Sequence, residues 1–381
     1  MTFSGEHTLE FEFPVRGLVI WPVGNGDSTT IVVDSDTLLH IDLNHLAKSD
    51  ADDTHWAVID ELVERLPRVN GRPYLAAFAL THPDQDHCRG FARLIDEVDI
   101  GELWFTPRIF REYKKDLCDD AAEFKKEAER RVKKTIDSEG DPGSGDRVRV
   151  FGYSDLLEEE DFEGFPDDRL TVPGNELTLI DEKDMFGRFR AFVHAPFKDD
   201  DAGERNDTSL GMQITLYDGS KQLTALLLGD LSYPIIKRIF EVSKSGDLAW
   251  NVLLAPHHCS KAAMYWKDEG DDEEQLKKHI VEEMDEASLE PNRVVSSSNS
   301  VPASNQPGDN PPHAKAKTQY EKITESFLCT MDQDGPIVAR PHDEEIVFIG
   351  TASVSMSASE AADEARGSHE PPKSAHTYGR A

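Results

Sequence analysis

Four residues able to bind a metal fall within six positions of the run Thr81-His82-Pro83-Asp84-Gln85-Asp86-His87: His82, Asp84, Asp86 and His87. Two carboxylates and two imidazoles packed this closely repel one another or lose solvation unless a positive charge lies among them. Hard oxygen and borderline nitrogen donors in such a mixture suit zinc or manganese. The bland alternative is a solvated turn in a chain where aspartate is abundant. Against it stands the apolar run at 75–80, which reads as a buried strand ending where the cluster begins. Two further chemical pairs also follow apolar runs: Gly229-Asp230 after 223–228, and His257-His258 after 252–255.

The elements that must position these residues alternate between strand and helix periods. Short β-rich runs at 17–23, 29–33 and 38–43 are separated by Gly-Asn-Gly-Asp and Asp-Ser-Asp turn signals, and predict a meander. A helix is predicted over 55–66, where Trp56, Ile59, Leu62, Val63 and Leu66 recur at helical spacing, and another over 90–98. A strand follows at 102–105. Residues 108–137 are dense in Lys, Glu and Arg and predict an exposed helix or helical hairpin; with 138–168 they read as an insertion. Core strands return at 177–180, 191–195, 210–217, 223–228 and 252–255, with a helix near 233–242. An acidic helix is expected at 268–286, a Ser/Asn/Pro-rich loop at 296–312, a helix at 314–324, and strands near 327–330, 337–339 and 346–349. This order fits an α/β protein of two mixed sheets with helices outside. Residues 1–350 form the expected domain, and the aperiodic Ser/Ala/Glu-rich tail 351–381 reads as disordered.

Composition narrows the setting. Lys plus Arg total 41 against 74 Asp plus Glu, so the net charge of −33 repels polyanions and an anionic substrate needs a local source of positive potential. Bound divalent metals would be that source. Cys88, Cys118, Cys259 and Cys329 have no paired spacing, which indicates neither a disulfide framework nor a thiolate zinc site. No signal-peptide pattern opens the chain, and no apolar run is long enough to span a bilayer. A reducing, cytoplasmic location without membrane association is the expectation.

The His82-x-Asp84-x-Asp86-His87 run resembles the His-x-His-x-Asp-His motif of the metallo-β-lactamase superfamily, with Asp84 in place of the second His. In that form it is similar to the ComEC-like branch, named for the hydrolase domain of the competence DNA-uptake channel. Other stretches add to the resemblance in order. Val23-Gly24-Asn25-Gly26-Asp27-Ser28 is similar to the branch's Val-Gly-Gln-Gly-Asp opening, and residues 39–44 to the strand after it, with Asp42. Asn206-Asp207-Thr208-Ser209-Leu210 resembles its Asn-Asp-x-Ser-Leu element. Leu228-Gly229-Asp230 and Ala255-Pro256-His257-His258-Cys259-Ser260 resemble its Gly-Asp and Pro-His-His-Gly-Ser, with Cys259 for Gly. Residues 330–337 are loosely similar to its closing strands. The likeness spans about 16–350 apart from the insertion.

This resemblance implies a four-layer αββα sandwich with an inserted charged helical segment, and two divalent ions, Zn or Mn. His82 and Asp84 would hold one ion, Asp86 and His87 the other, and Asp230 would bridge them; the last ligand would be the His two positions after Pro256, which selects His258 over His257, the choice between the two staying open. A water between the ions would then be deprotonated near neutral pH. His257 would contact the leaving group, and Asp86 stands with it as a catalytic candidate. Asn206, Ser209 and His313 are the substrate-binding candidates, although His313 also reads as a surface-loop histidine. His194, in an expected core strand, reads as core or surface, so the superfamily's third His on the first ion lacks a counterpart and Asn206 or water would fill that place. Asp27 and Ser28 read most simply as turn caps, with a backbone that could face the metals, and Asp42 as a support for a ligand His. The implied function is a metal-dependent phosphodiesterase or nuclease. The alternatives are a hydrolase of a small ester, lactone or thioester, and a non-catalytic module that binds a partner protein through its charged helices.

Overall fold

The structure, a computed structural model, describes residues 11–46, 56–112, 116–138, 141–198, 204–341 and 346–349. The predicted tail at 351–381 and His55 at the start of the first predicted helix lie outside them.

Two large sheets carry the chain. The first contains β1 (Gly17–Ile20), β2 (Thr29–Asp34), β3 (Thr37–Ile41), β4 (Arg72–Leu80), β5 (Asp99–Phe105), β6 (Arg147–Phe151) and β7 (Leu170–Thr171). The second contains β8 (Glu176–Leu177), β9 (Phe189–Ala195), β10 (Gly211–Asp218), β11 (Lys221–Leu227), β12 (Trp250–Leu254), β13 (Ser288–Ser296) and β14 (Phe327–Cys329). The chain then returns to the first sheet as β15 (Ile337–Pro341) and β16 (Ile346–Ile349), giving the order β16-β15-β1-β2-β3-β4-β5-β6-β7. The second sheet runs β8 to β14 in sequence order.

Side-chain alternation makes the layers, because successive residues of a strand point to opposite faces. Leu18, Ile20, Ile31, Leu39, Ala77 and Trp104 of the first sheet share one buried cluster with Val193, Met212, Ile214, Ala225, Val252 and Val295 of the second. The intervening residues face the other way. Val19, Phe78, Phe105 and Val150 pack against α1 (Val58–Arg65), α3 (Phe91–Glu97) and α4 (Asp119–Asp137), while the single turn α2 (Gln85–Cys88) lies between the first two of these in sequence. On the far side Leu226, Leu253 and Val294 pack against α5 (Tyr233–Val242), α6 (Lys278–Glu286) and α7 (Ala314–Tyr320). The result is the expected α/β sandwich of helix, sheet, sheet and helix layers.

Three expectations need correction. The charged run 108–137 is not simply exposed: of the helix or hairpin expected there α4 is the single helix, and its Ala121, Phe124, Ala128 and Val132 are buried. Phe124 touches Phe78, Phe91 and Phe105, and β6 extends the first sheet beside β5. The acidic helix expected at 268–286 begins only at Lys278, because Gln275–Leu276 instead pairs with Tyr265–Trp266 in a small ribbon. The run 177–180 divides between β8 and Leu179–Ile180, a strand of a separate two-stranded hairpin.

The functional geometry follows from strand direction. β3, β4 and β5 run parallel, as do β11, β12 and β13. Parallel strands aim their carboxyl ends at a common edge, where α/β proteins place ligands. Ile41, Leu80, Leu227, Leu254 and Ser296 all end there, immediately before Asp42, Thr81, Leu228, Ala255 and Ser297.

Candidate metal centre

Asp230 lies at the centre of this edge, buried, with imidazoles from two other stretches of chain around it. Its Oδ1 is 3.3 Å from His87 Nε2, and its Oδ2 is 3.5 Å from His257 Nε2, 3.5 Å from His258 Nε2 and 3.9 Å from His82 Nε2. Asp84 Oδ2 lies 3.7 Å from His82 Nε2, and Asp86 Oδ2 lies 3.3 Å from His258 Nε2. The residues therefore fall into two groups, His82 with Asp84 and Asp86 with His87 and His258, with Asp230 between them.

Local backbone conformation makes the convergence possible. Gly229 has φ 51°, and a Cβ there would stand 2.9 Å from Ser209 Cβ, so a larger residue would push apart the two turns beside Asp230. Gly26 brings its loop against the ligand turn: a Cβ would lie 2.6 Å from the Asp86 carbonyl oxygen, and the Asp27 amide donates to that oxygen at 3.2 Å. His257, His258 and Cys259 take positive φ values of 49°, 53° and 64°, so the residues after β12 do not continue as a regular helix. The His257 amide donates to the Gly229 carbonyl at 3.0 Å, which fastens the histidine pair to the aspartate turn.

Hydrogen bonding fixes which nitrogen of each imidazole faces inward. Asp42 accepts the Thr81 amide at 2.8 Å and the Thr81 hydroxyl at 2.6 Å, and its Oδ2 lies 2.8 Å from His87 Nδ1. His87 Nδ1 is thus a donor to a carboxylate. His258 Nδ1 donates to the Ser297 carbonyl oxygen at 3.1 Å. Because the Thr81 hydroxyl is already spent on Asp42, its oxygen accepts from His82 Nδ1 at 3.1 Å. In all three neutral rings the Nε2 lone pair is left pointing into the cluster.

Those lone pairs face each other and the carboxylates. His87 Nε2 and His258 Nε2 are 3.3 Å apart, while His82 Nε2 and Asp230 Oδ1 are buried without a hydrogen-bond partner. Only protons or cations relieve such an arrangement. Without a metal the strain appears as shifted proton affinity. Burial opposes the charged form of His87 and His258, but Asp230 with Asp42 and Asp86 around the one, and with Asp27 and Asp86 around the other, raises both well above the usual imidazole range. Burial likewise opposes ionisation of Asp230, yet His258 and His87 hold it far below the usual carboxylate range. His82 is shifted down, first by burial and then by His87. The donor set therefore fits a divalent metal, which would replace the protons.

The remaining sequence candidates are placed as follows. His257 is about a quarter exposed, at the mouth beside Asp230. Ser209 is fully buried: its hydroxyl donates to the Asn206 carbonyl at 2.7 Å and accepts the Asp230 amide at 3.3 Å, so it positions the aspartate turn and is closed to substrate. Asn206 is partly exposed in the same turn. His313 is also buried; its Nδ1 accepts from the Lys261 amide at 3.2 Å and its Nε2 donates to the Asp309 carbonyl at 3.1 Å, which commits both nitrogens to the backbone and corrects both readings made for it. His194 bonds Ser243 Oγ and the Asp247 carbonyl, both at 2.9 Å.

Sequence reasoning missed two residues. Asp27, read as a turn cap, joins His87, Asp230 and His258 in a buried group whose ligand atoms lie within 4.8 Å of one another. Its signals were its place in the 23–28 stretch and the position of that Gly-Asn-Gly-Asp turn between two strands of the meander. Arg205 was passed over entirely, although its guanidinium lies 3.0 Å from Asp84 Oδ1 and 2.8 Å from Glu112 Oε2. Nothing in the sequence marks it beyond its place before Asn206.

No protein-family model and no curated protein matches the chain. Among solved structures it is similar to a class B3 di-zinc metallo-β-lactamase from an Alaskan soil metagenome, at 14% identity over 75% of this chain and 96% of that one, with a TM-score of 0.31. It is also similar to a subclass B3 metallo-β-lactamase of Bradyrhizobium japonicum, at 17% identity over 74% and 92% of the two chains, with a TM-score of 0.34. An archaeal metallo-β-lactamase superfamily protein from Sulfolobus tokodaii is 13% identical over 82% and 97%, with a TM-score of 0.30. Overlaps this low define no residue correspondence.

Proposed function

We propose that the chain is a divalent-metal-dependent hydrolase of the metallo-β-lactamase superfamily, of its ComEC-like branch, and that its substrates are phosphodiesters, nucleic acid among them. The observation that carries the metal reading is the inward convergence of three imidazole Nε2 atoms on one buried carboxylate, each ring held by a donor bond at Nδ1. His82 and Asp84 would hold one ion, Asp86, His87 and His258 a second, with Asp230 shared and Asp27 beside the second group. Two ions of zinc or manganese complete the proposal. When bound, they would supply Lewis acidity and lower the pKa of a water.

The chain's own residues then set orientation and charge. Asp42 and the Ser297 carbonyl keep the ligand rings in one tautomer, and Ser209 holds the Asp230 turn. Asp86 stays ionised, since His87 and His258 outweigh its burial and hold its carboxyl well below the usual range; this suits a ligand and not a proton donor. His257, about a quarter exposed beside Asp230, would contact the leaving group and could protonate its oxygen. Arg205 adds a fixed cation next to Asp84, and the carboxylates among the donors suit a hard ion, which in turn would suit phosphate oxygens. Among the described residues no helix is long and apolar enough to cross a membrane. A reducing, cytoplasmic setting is part of the proposal.

Purified protein, stripped and reloaded with manganese or zinc, is expected to turn over bis-para-nitrophenyl phosphate and single-stranded DNA, and the double variant Asp86→Ala, His87→Ala to lose that activity. Turnover of acyl esters alone would transfer the assignment to ester, lactone or thioester hydrolysis. Tight metal binding without any turnover would favour a module that binds a protein partner through the charged outer faces of α4 and α6.

A further inference from the structure

Cys88 closes the turn that carries Asp84, Asp86 and His87, and its sulfur faces a second sulfur across the helix layer. The Sγ atoms of Cys88 and Cys118 are 3.6 Å apart, and both thiols are free. Cys118 is the residue before the first turn of α4, where its Sγ accepts the Ala121 amide at 3.5 Å. Cys88 is fully buried and donates to the Asp84 carbonyl at 3.2 Å; Cys118 is partly exposed.

We propose that Cys88 and Cys118 are an oxidation site, a thiol pair that a peroxide converts to a disulfide, and that the bond loosens the metal-holding turn. The pair differs from a lone thiol in having an exposed member to be attacked and a buried member in contact to resolve it. Cys118 is the more exposed of the two and its thiol is held down to about 6, chiefly by the Cys88 thiol in contact with it, with burial opposing and the Ala121 amide assisting, so Cys118 is the reactive partner. Its thiolate attacks one peroxide oxygen; the O–O bond breaks, a sulfenic acid forms and hydroxide leaves. The Cys88 sulfur then attacks the Cys118 sulfur. The S–O bond breaks as the S–S bond forms, and the departing hydroxide takes the Cys88 proton. In sum, two thiols and one hydrogen peroxide give one disulfide and two waters.

The consequence for the metal follows from distance. Closing the 3.6 Å separation to a bonded length of about 2.05 Å requires a relative movement of about 1.5 Å. Part of that movement falls on the short turn Gln85–Cys88, which has His87 next to Cys88, and the bond also removes the donor to Asp84. Metal–ligand distances in a well-formed site fall within about 0.2 Å of their preferred values. Affinity for a divalent ion therefore falls by roughly ten- to a hundredfold on oxidation, the loss typical of a disturbed ligand support, and returns on reduction.

This second half rests on the metal-centre reading, so the test separates the two. The full chain is treated with hydrogen peroxide, its free thiols are counted, and its peptides are mapped by mass spectrometry with and without dithiothreitol; manganese binding is measured by calorimetry on both forms. Expected are the loss of two thiols, one reducible peptide pair joining Cys88 to Cys118, and weaker manganese binding that dithiothreitol restores. Cys118→Ser, which leaves Cys88 and its bond to Asp84 in place, is expected to bind manganese like the parent and to keep that affinity after peroxide. A crosslink elsewhere, no crosslink, or equal manganese affinity in both forms overturns the inference. Failure of the reduced protein to bind manganese would instead overturn the metal centre, while the peptide map would still decide the thiol pair.

Discussion

Asp42 shows how much of the site depends on a residue that never faces the ion. Its two oxygens hold Thr81 by amide and hydroxyl and receive His87 Nδ1, so one carboxylate orients two of the three inward-facing rings, His82 being held through Thr81. Asp42→Asn keeps the shape but offers one acceptor oxygen in place of two. Manganese affinity is expected to fall about ten- to a hundredfold while the circular dichroism spectrum stays unchanged; an unaltered affinity by calorimetry would remove Asp42 from the support of the centre. A second residue-scale prediction concerns His40, whose ring bonds Thr30 Oγ1 at 2.8 Å and lies 3.1 Å from Ser28 Oγ. Burial pushes its pKa down to about 3, against about 6.5 for an unfolded histidine. The unfolded state thus takes up a proton that the folded state refuses. Stability is full above about pH 6.5 and falls by about 1.4 kcal/mol per unit as the pH drops toward 3. His194 adds a similar slope, since burial, opposed by the Asp247 carbonyl, lowers it to about 4. Urea melts between about pH 6 and pH 5 should show one proton less of slope in His40→Gln than in the parent. At this scale the ligand side chains were legible because the stretch that carries each begins directly after an apolar run, whereas Asp27 lies in a turn, Arg205 follows no such run, and both reach the centre only through tertiary folding.

Among the elements, those with a clean period were read well. Tyr233–Val242 has its buried Ile235, Ile236 and Ile239 on one face behind a proline at the helix start, and the predicted and observed ends coincide. Two strands were illegible for a physical reason. In β6 the core-facing alternation is broken by Arg149, buried and 3.6 Å from the equally buried Glu102, a pairing visible only when β5 and β6 lie side by side. In β13 Glu290, Pro291 and Asn292 suppress the strand signal, and the register with β12 shifts around them. The charged run at 108–137 misled in the opposite sense, because its many Lys and Glu conceal a narrow apolar stripe. Phe124 is the centre of that stripe, with ring contacts to Phe78, Phe91 and Phe105 at 6.1, 4.9 and 6.0 Å between centroids. Phe124→Ala should therefore destabilise the domain by about 3–5 kcal/mol in urea melts. A change below about 1 kcal/mol would mean that the apolar stripe of α4 contributes little to the stability of the domain.

For the whole molecule, the layer order was legible from the alternation of apolar runs, and the edge that holds the site followed from strand direction once the strands were paired. The sandwich is built from three apolar clusters that contain none of the ligand side chains. Chelation is accordingly expected to abolish hydrolysis while leaving the far-ultraviolet spectrum in place, and saturating manganese at about a hundred times its Kd to raise stability by about 2.7 kcal/mol. Loss of the spectrum on chelation would mean that the metal builds the fold.

The two sheets meet through side chains, and at the ligand edge the Leu210 amide adds one bond to the Thr81 carbonyl at 3.0 Å. His82 and His87 ride on one sheet, Asp230 and His258 on the other. Any shear of one layer past the other changes the bite between them, so a seated cation works as a rivet through a laminate. Amide exchange at Leu210 should slow when it is driven home.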